Sequence, residues 1–390
     1  MGSIAERWRD FSGENDWEGL LSHPLDNDFR RYMIHYGERN QALGDAFISE
    51  EKSDNYGRSR YAKKGFFAKV GLEEGNPYKY EVTNFIYAAL ELKSSLATWK
   101  AVKLSNLMAY VAVATDEGKA VLGRRDILVV WRGTILGPEW IKDLDHTLVS
   151  ASEILGEDHN PKVHKGWHSL YTETNPESPL ITISARDQIV AEIHKQVAAY
   201  KDEELSITFV GHSMGSAIAT LNATDIVFNG YNKIPDEPDK AIPVTAFCLA
   251  CPRVGDFGFS KVFAELTNLH VLRINNELDI VPKYPFDISY SDVGKQLVIN
   301  STESTFLKSS LSHDLSTVHQ LEVHLHAVAG YQGSKPFELV INRDIALLNK
   351  GADYLDDKYR VVSSWWTEKN KSMVQNDDGT WELKDSEEDV

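Results

Sequence analysis

Cysteine is almost absent from the 390-residue sequence, which holds only Cys248 and Cys251. Two thiols cannot staple a chain of this size, so a disulfide framework is excluded and the fold must rest on its core. Long apolar runs are missing as well. No stretch approaches the roughly 20 apolar residues of a transmembrane helix. Basic residues are in deficit, with 41 Lys+Arg against 58 Asp+Glu and a formal net charge of −17. A balance this acidic repels phosphate backbones, which removes nucleic acid as an expected partner. The opening residues Met1-Gly2-Ser3-Ile4-Ala5-Glu6-Arg7 carry an acid early and have no apolar h-region. They read as neither secretory signal nor transit peptide, and the expected setting is cytoplasmic.

What is present is an ordinary globular composition, 42% hydrophobic, 25% charged and 10% aromatic. It is too apolar and aromatic for a disordered chain. Residues 1 to about 100 read as mostly helical, with Trp8, Phe11, Trp17, Leu20 and Leu21 spaced to cover an apolar surface. A polar loop over residues 50–59 interrupts them.

The pattern changes from about residue 108. Residues 108–115 alternate like a strand. The continuous apolar run Ile127-Leu128-Val129-Val130-Trp131 fits a strand buried on both faces. A helix is predicted over 185–200, with Ile189, Ile193 and Val197 on one stripe. Strands follow at 205–210, 244–249 and 270–274, with a small-residue helix from Met214 toward Phe228 between the first two. Strands alternating with helices imply an α/β fold with a mostly parallel sheet flanked by helices. A further helix is expected over 343–350, before the acidic tail at 385–390.

One junction carries chemistry. The strand ending at Val210 runs into Gly211-His212-Ser213-Met214-Gly215-Ser216-Ala217, a G-x-S-x-G at a strand-to-helix turn. The turn is tight, and side chains at 211 and 215 would collide with the neighbouring strand and helix. Glycine at both positions lets the Ser213 hydroxyl stand above the sheet edge. The Met214 N–H then lies at a helix N-terminus, where it can stabilise an oxyanion. Without that context the motif is weak, and the bland reading is a structural Gly-Ser turn.

A nucleophilic serine needs a base and the base an orienting acid, in chain order Ser, Asp/Glu, His on an α/β-hydrolase fold. Two acids follow strands downstream, Asp256 and Asp279, and chain position does not separate them. The histidines available are His313, His319, His324 and His326. The segment from His319 to His326 reads as a helix start. His319 at its beginning is favoured over His326, which lies about 10 Å further along the axis. The loop Trp131-Arg132-Gly133-Thr134 can supply the other half of an oxyanion hole, through Thr134.

These motifs together resemble the plant class II phospholipases A1, within the class 3 lipases. The resemblance covers nearly the whole chain. It rests on Tyr36-Gly37-Glu38 with Gln41-Ala42 and Asp45-Ala46-Phe47, on Trp131-Arg132-Gly133-Thr134, and on Val163-His164-Lys165-Gly166-Trp167. It continues through the 211–217 elbow, Pro252-Arg253-Val254-Gly255-Asp256, residues 276–282, residues 319–326 and Trp365-Trp366. One departure is visible: the family more often carries Tyr-Leu-His where this chain has His324-Leu325-His326.

The resemblance implies Ser213 as nucleophile, Asp279 as acid and His319 as base, with Thr134 and Met214 at the oxyanion. It implies hydrolysis of the sn-1 ester of phosphatidylcholine and related glycerolipids at a membrane or micelle surface, without metal or cofactor. The organisation expected is an N-terminal helical extension (1–100), a hydrolase core (101–335) and a C-terminal appendage (336–390). The segment 136–165, with Trp140, Ile141, Leu144, Leu148, Val149, Ile154 and Leu155 among acids, reads either as a lid whose apolar face meets lipid or as a surface helix packed on the sheet. Cys248-Leu249-Ala250-Cys251 reads as two packed thiols rather than a redox or zinc site. Rival readings are another lipid esterase, acting on acylglycerols, galactolipids or carotenoid esters, and a catalytically silent lipid-binding module.

Overall fold

The structure is a computed structural model that describes residues 2–50, 53–90, 104–134, 145–234, 237–366, 373–375 and 381–383. Seven strands form its main sheet: β1 (Tyr80–Leu90), β2 (Leu104–Ala114), β3 (Arg125–Trp131), β4 (Leu205–His212), β5 (Val244–Leu249), β6 (Leu269–Asn276) and β7 (Lys295–Ile299). They lie side by side in chain order. β3 to β7 pair in parallel, while β2 runs antiparallel to both β1 and β3.

Every residue of β3 is buried. Leu128 and Val130 join the hydrophobic cluster on one face; Ile127, Val129 and Trp131 join the cluster on the other. A strand covered on both sides reads as an unbroken apolar run for this reason. Helices α1 (Ile4–Phe11) and α2 (Asn27–Ala46) cover the first face, and α3 (Ala185–Ala199) and α4 (Met214–Phe228) the second. Asp26 caps α2 by accepting from the N–H groups of Asp28 and Phe29, and Ser184 caps α3 by accepting from Asp187 N–H.

The small residues of α4 have the expected consequence. From Met214 to Ile226 the helix is buried on every side. Its polar members are therefore paired. Asn222 accepts from Trp131 Nε1 and donates to Tyr171, while Asp225 accepts from Tyr171 and Arg186. On the opposite face Tyr36 of α2 stacks on Phe247 of β5 with ring centroids 5.0 Å apart. Tyr36 and Tyr80 donate to the buried Asp126, which also accepts from Ser206 and Thr208. The buried Arg124 donates to Tyr32 and Tyr36.

Three expectations change. The N-terminal hundred residues are not mostly helix, because β1 lies within them. The helix over 343–350 is a 3-10 turn, Ile345–Asn349. The lid expectation meets a different structure after residue 144; Leu136, Trp140, Ile141 and Leu144 lie outside the described residues. Beyond them Leu148–Ser150 pairs with Lys162–His164, and Ile154 and Leu155 sit in the core. From residue 148 on the described stretch is anchored by this pairing; Ile154 and Leu155 are consumed by packing, while Leu148 and Val149 stay half-buried.

Candidate active site

The loops at the carboxyl edge of the parallel strands build the site. β4 ends at His212, α4 begins at Met214, and Ser213 makes the turn between them. Ser213 takes φ 56° and ψ −130°, a strained conformation for a residue with a side chain. Its N–H is held by the Leu249 carbonyl at 2.9 Å. The flanking glycines are sterically required. A Cβ at Gly211 would lie 2.4 Å from the backbone of Gly215, and one at Gly215 would lie 2.4 Å from the Trp131 carbonyl oxygen.

Two nonlocal residues meet this turn. His319 Nε2 is 2.8 Å from Ser213 Oγ, and His319 Nδ1 is 2.7 Å from Asp279 Oδ2. A carboxylate accepts, so Nδ1 carries the hydrogen and Nε2 is left to accept from the serine hydroxyl. Asp279 follows β6, and its Oδ1 accepts from Val281 N–H at 2.9 Å. All three side chains are buried.

Around the histidine the backbone is tied down. His212 donates from Nε2 to the His319 carbonyl at 2.7 Å. Burial, followed by the neighbouring His319 and His324, holds the His212 imidazole well below its ordinary pKa, so it serves as a neutral donor. Asn276 donates to the carbonyl of Val318 at 2.8 Å and to Ser301 Oγ at 2.7 Å. The sequence reading missed the hold of His212 on His319. It gave Asn276 no role; a polar side chain at the end of a buried strand was the available sign.

His319 closes a short helix, α5 (Leu315–His319), and Gln320 breaks the chain before α6 (Leu321–Gly330). The expected single helix starting at His319 is thus two, and the axial spacing argument does not apply. His326 points elsewhere, bonded to Ser304 Oγ at 2.7 Å and stacked on Phe337. His324 is fully buried; its Nδ1 donates to the Gln320 carbonyl at 3.0 Å, and its Nε2 stands 3.9 Å from Asp279 Oδ2. Asp256 caps the helix Phe257–Ala264 and binds the Lys162 N–H at 3.0 Å. Met214, expected at the oxyanion, opens α4, where helix geometry leaves its N–H without an intrahelical acceptor. Thr134 follows Gly133, whose Cα approaches so closely that a Cβ there would lie 2.9 Å from the His212 carbonyl oxygen. Cys248 and Cys251 are free, buried thiols.

Known proteins resemble this chain in sequence. The family model described as Lipase (class 3) matches residues 128–289. Phospholipase A1-IIgamma of Arabidopsis thaliana is 48% identical over 99% of this chain and 94% of its own. The chain belongs to the phospholipase A1-II family of class 3 lipases. Membership makes it a carboxylic ester hydrolase on the α/β-hydrolase fold. A second family member, phospholipase A1-II 4 of Oryza sativa subsp. japonica, is 48% identical over 99% of this chain and 96% of its own. Among solved structures, the triacylglyceride lipase of Rhizomucor miehei is similar with a TM-score of 0.46 and 19% identity, covering 78% of this chain and 95% of its own. No helix among the described residues is long and apolar enough to cross a membrane.

Proposed function

We propose that this family member is a serine acylhydrolase that cleaves the sn-1 acyl ester of glycerophospholipids such as phosphatidylcholine, at a membrane or micelle surface. The observation that carries the proposal is the hydrogen-bonded series Ser213–His319–Asp279, at 2.8 and 2.7 Å, on a strained elbow. The named activity of the relatives, phospholipase A1, supports the substrate and position.

Ser213 Oγ attacks the ester carbonyl carbon while its proton passes to His319 Nε2. The N–H of Met214 and the Thr134 loop stabilise the oxyanion. Collapse breaks the bond to the glycerol oxygen, which leaves with the proton held by His319. The acyl group stays on Ser213. Water then gives a proton to His319 and its oxygen to the acyl carbon; the acyl–serine bond breaks, His319 returns the proton to Ser213 Oγ, and the fatty acid leaves. Asp279 fixes the imidazole tautomer throughout, while His212 and Asn276 fix the backbone on either side of the His319 nitrogen.

The test is phosphatidylcholine with distinguishable acyl chains at the two positions. The sn-1 chain should appear first, and Ser213→Ala should lower the rate by about 1,000-fold or more. Release of the sn-2 chain first overturns the regiochemistry. Activity persisting in the alanine variant overturns the nucleophile.

A further inference from the structure

Apolar side chains stand exposed at the edge of the molecule from which the catalytic loops emerge. The helix that follows the loop leaving β5 opens at Phe257, 64% exposed, and the loop leaving β6 carries Leu278, Phe286 and Ile288, exposed by 41%, 68% and 100%. Two of these loops are joined. Gly255–Asp256 pairs antiparallel with Tyr290–Ser291, and Asp256 faces Tyr290. Phe257 therefore lies across from the turn that bears Ile288. Leu278 adjoins Asp279 in sequence, so one loop runs from the catalytic acid to this apolar tip.

The tip is built rather than loose. Tyr290 N–H bonds the Asp287 carbonyl at 3.2 Å, and Ser289 N–H bonds Asp287 Oδ1 at 2.8 Å, closing a tight turn with Ile288 at its apex. The other end is pinned by Arg253, whose N–H bonds the Tyr284 carbonyl at 2.7 Å and whose Nη1 bonds the Pro285 carbonyl at 3.2 Å. Tyr284 and Tyr290 both hold His146, by its Nδ1 and its carbonyl, and the Phe286 ring meets Tyr284 edge-on at 6.0 Å. Turn apices ordinarily carry Gly, Asn, Asp or Ser. A wholly exposed isoleucine held in place there is stable in water only at a cost, and grouped exposed apolar side chains mark a contact surface.

We propose that the turn bearing Phe286 and Ile288, with Phe257 beside it, inserts into a zwitterionic lipid surface and sets the active-site edge against it. This deepens the phospholipase reading and rests on it. Two observations select lipid as the occupant. Ser213 is only 1% exposed, so an aggregated substrate must be brought against the edge where β4 ends. The charges held at the tip are of both signs, with Lys261 over the Phe257 ring, Arg253 on the Pro285 carbonyl and Asp287 within the turn, and the chain carries a net −17. Attachment thus comes from apolar insertion, not from attraction to anionic head groups.

The test compares Ser213→Ala protein with and without Phe286→Ser plus Ile288→Ser, by co-sedimentation with phosphatidylcholine vesicles. Val362→Ser serves as control, since Val362 is equally apolar, 69% exposed and far along the chain. With Ser213 present, the same loop variants are assayed on vesicles and on a water-soluble short-chain ester. The double variant should lose vesicle binding and vesicle hydrolysis by tenfold or more. Turnover of the soluble ester should stay within twofold, high salt should leave wild-type binding unchanged, and Val362→Ser should behave as wild type. Undiminished vesicle binding by the double variant overturns the proposal, as does equal loss in the control. So does a dimer in gel filtration that the double variant dissolves, which would assign the surface to a second copy. Wild-type protein that binds vesicles and hydrolyses the soluble ester yet frees no fatty acid from phosphatidylcholine would instead sink the phospholipase reading and leave the docking surface standing.

Discussion

At the residue scale, the same side-chain type does opposite work according to what surrounds it. Asp279 and Asp256 both follow a strand, but Asp279 faces an imidazole and Asp256 faces two backbone N–H groups. His319 and His326 are both buried, but one bridges a serine and a carboxylate while the other is enclosed by Ser304, Phe306 and Phe337. Asp279→Asn keeps the shape and removes the fixed tautomer, because an amide can donate to Nδ1 and turn the ring's hydrogen toward Ser213. Its kcat should fall by about 10,000-fold with little change in melting temperature. A loss below tenfold would remove Asp279 from the role proposed here.

At the scale of elements, the elbow is a contact between three backbones. Gly215 brings α4 against the end of β3, and a Cβ there would lie 2.4 Å from the Trp131 carbonyl oxygen and 2.7 Å from that of Arg132. Neither neighbour is a flexible side chain that can move aside. Gly215→Ala should cost about 3 kcal/mol and reduce labelling of Ser213 by an organophosphonate. Gly44→Ala gives the contrast. It lies exposed in α2, where an added Cβ would meet nothing closer than the Gln41 side-chain Nε2 of the same helix, at 3.9 Å. There the change should be neutral or stabilise by about 0.5 to 1 kcal/mol. Chemical denaturation of both variants checks the pair, and equal effects would contradict the steric account.

At the scale of the whole molecule, the core holds several histidines as neutral groups. Burial lowers the imidazoles of His164 and His324 to about 4 and that of His326 to about 3, and it takes His35 and His212 well below 6.5. Unfolding returns each to the ordinary value near 6.5. Between pH 6.5 and about 4 the unfolded chain therefore binds more protons than the folded one. Stability is fully present above pH 6.5 and is lost as pH falls toward the folded-state values. Each such imidazole contributes about 2 to 3 kcal/mol of loss by pH 4.5. The urea midpoint should drop steeply between pH 6.5 and 4.5, before most carboxylates titrate. A flat midpoint over that window would mean that these rings are charged or solvated in the folded state.

The sequence by itself determined what depends on neighbours in the chain. β3, β4 and β5 were legible because a strand buried on both faces must be apolar throughout, and α4 because a helix packed tightly to a sheet must be built of small residues. Ser213 was legible because its whole strand–turn–helix setting lies within one continuous segment, Leu205 to Phe228. β1 was missed, since its pairing with β2 is set by a partner outside the helical pattern read around it. The choice between Asp256 and Asp279, left open by residue spacing, and the roles of His212 and Asn276 belonged to the tertiary structure. Asp279, 66 residues from Ser213, and His319, 106 residues from it, meet at the serine only because β4, β5 and β6 lie side by side with their carboxyl ends on one edge. That edge also gathers Phe257, Phe286 and Ile288. In the sequence they are three unremarked apolar residues, and only the fold leaves them uncovered beside the catalytic loops.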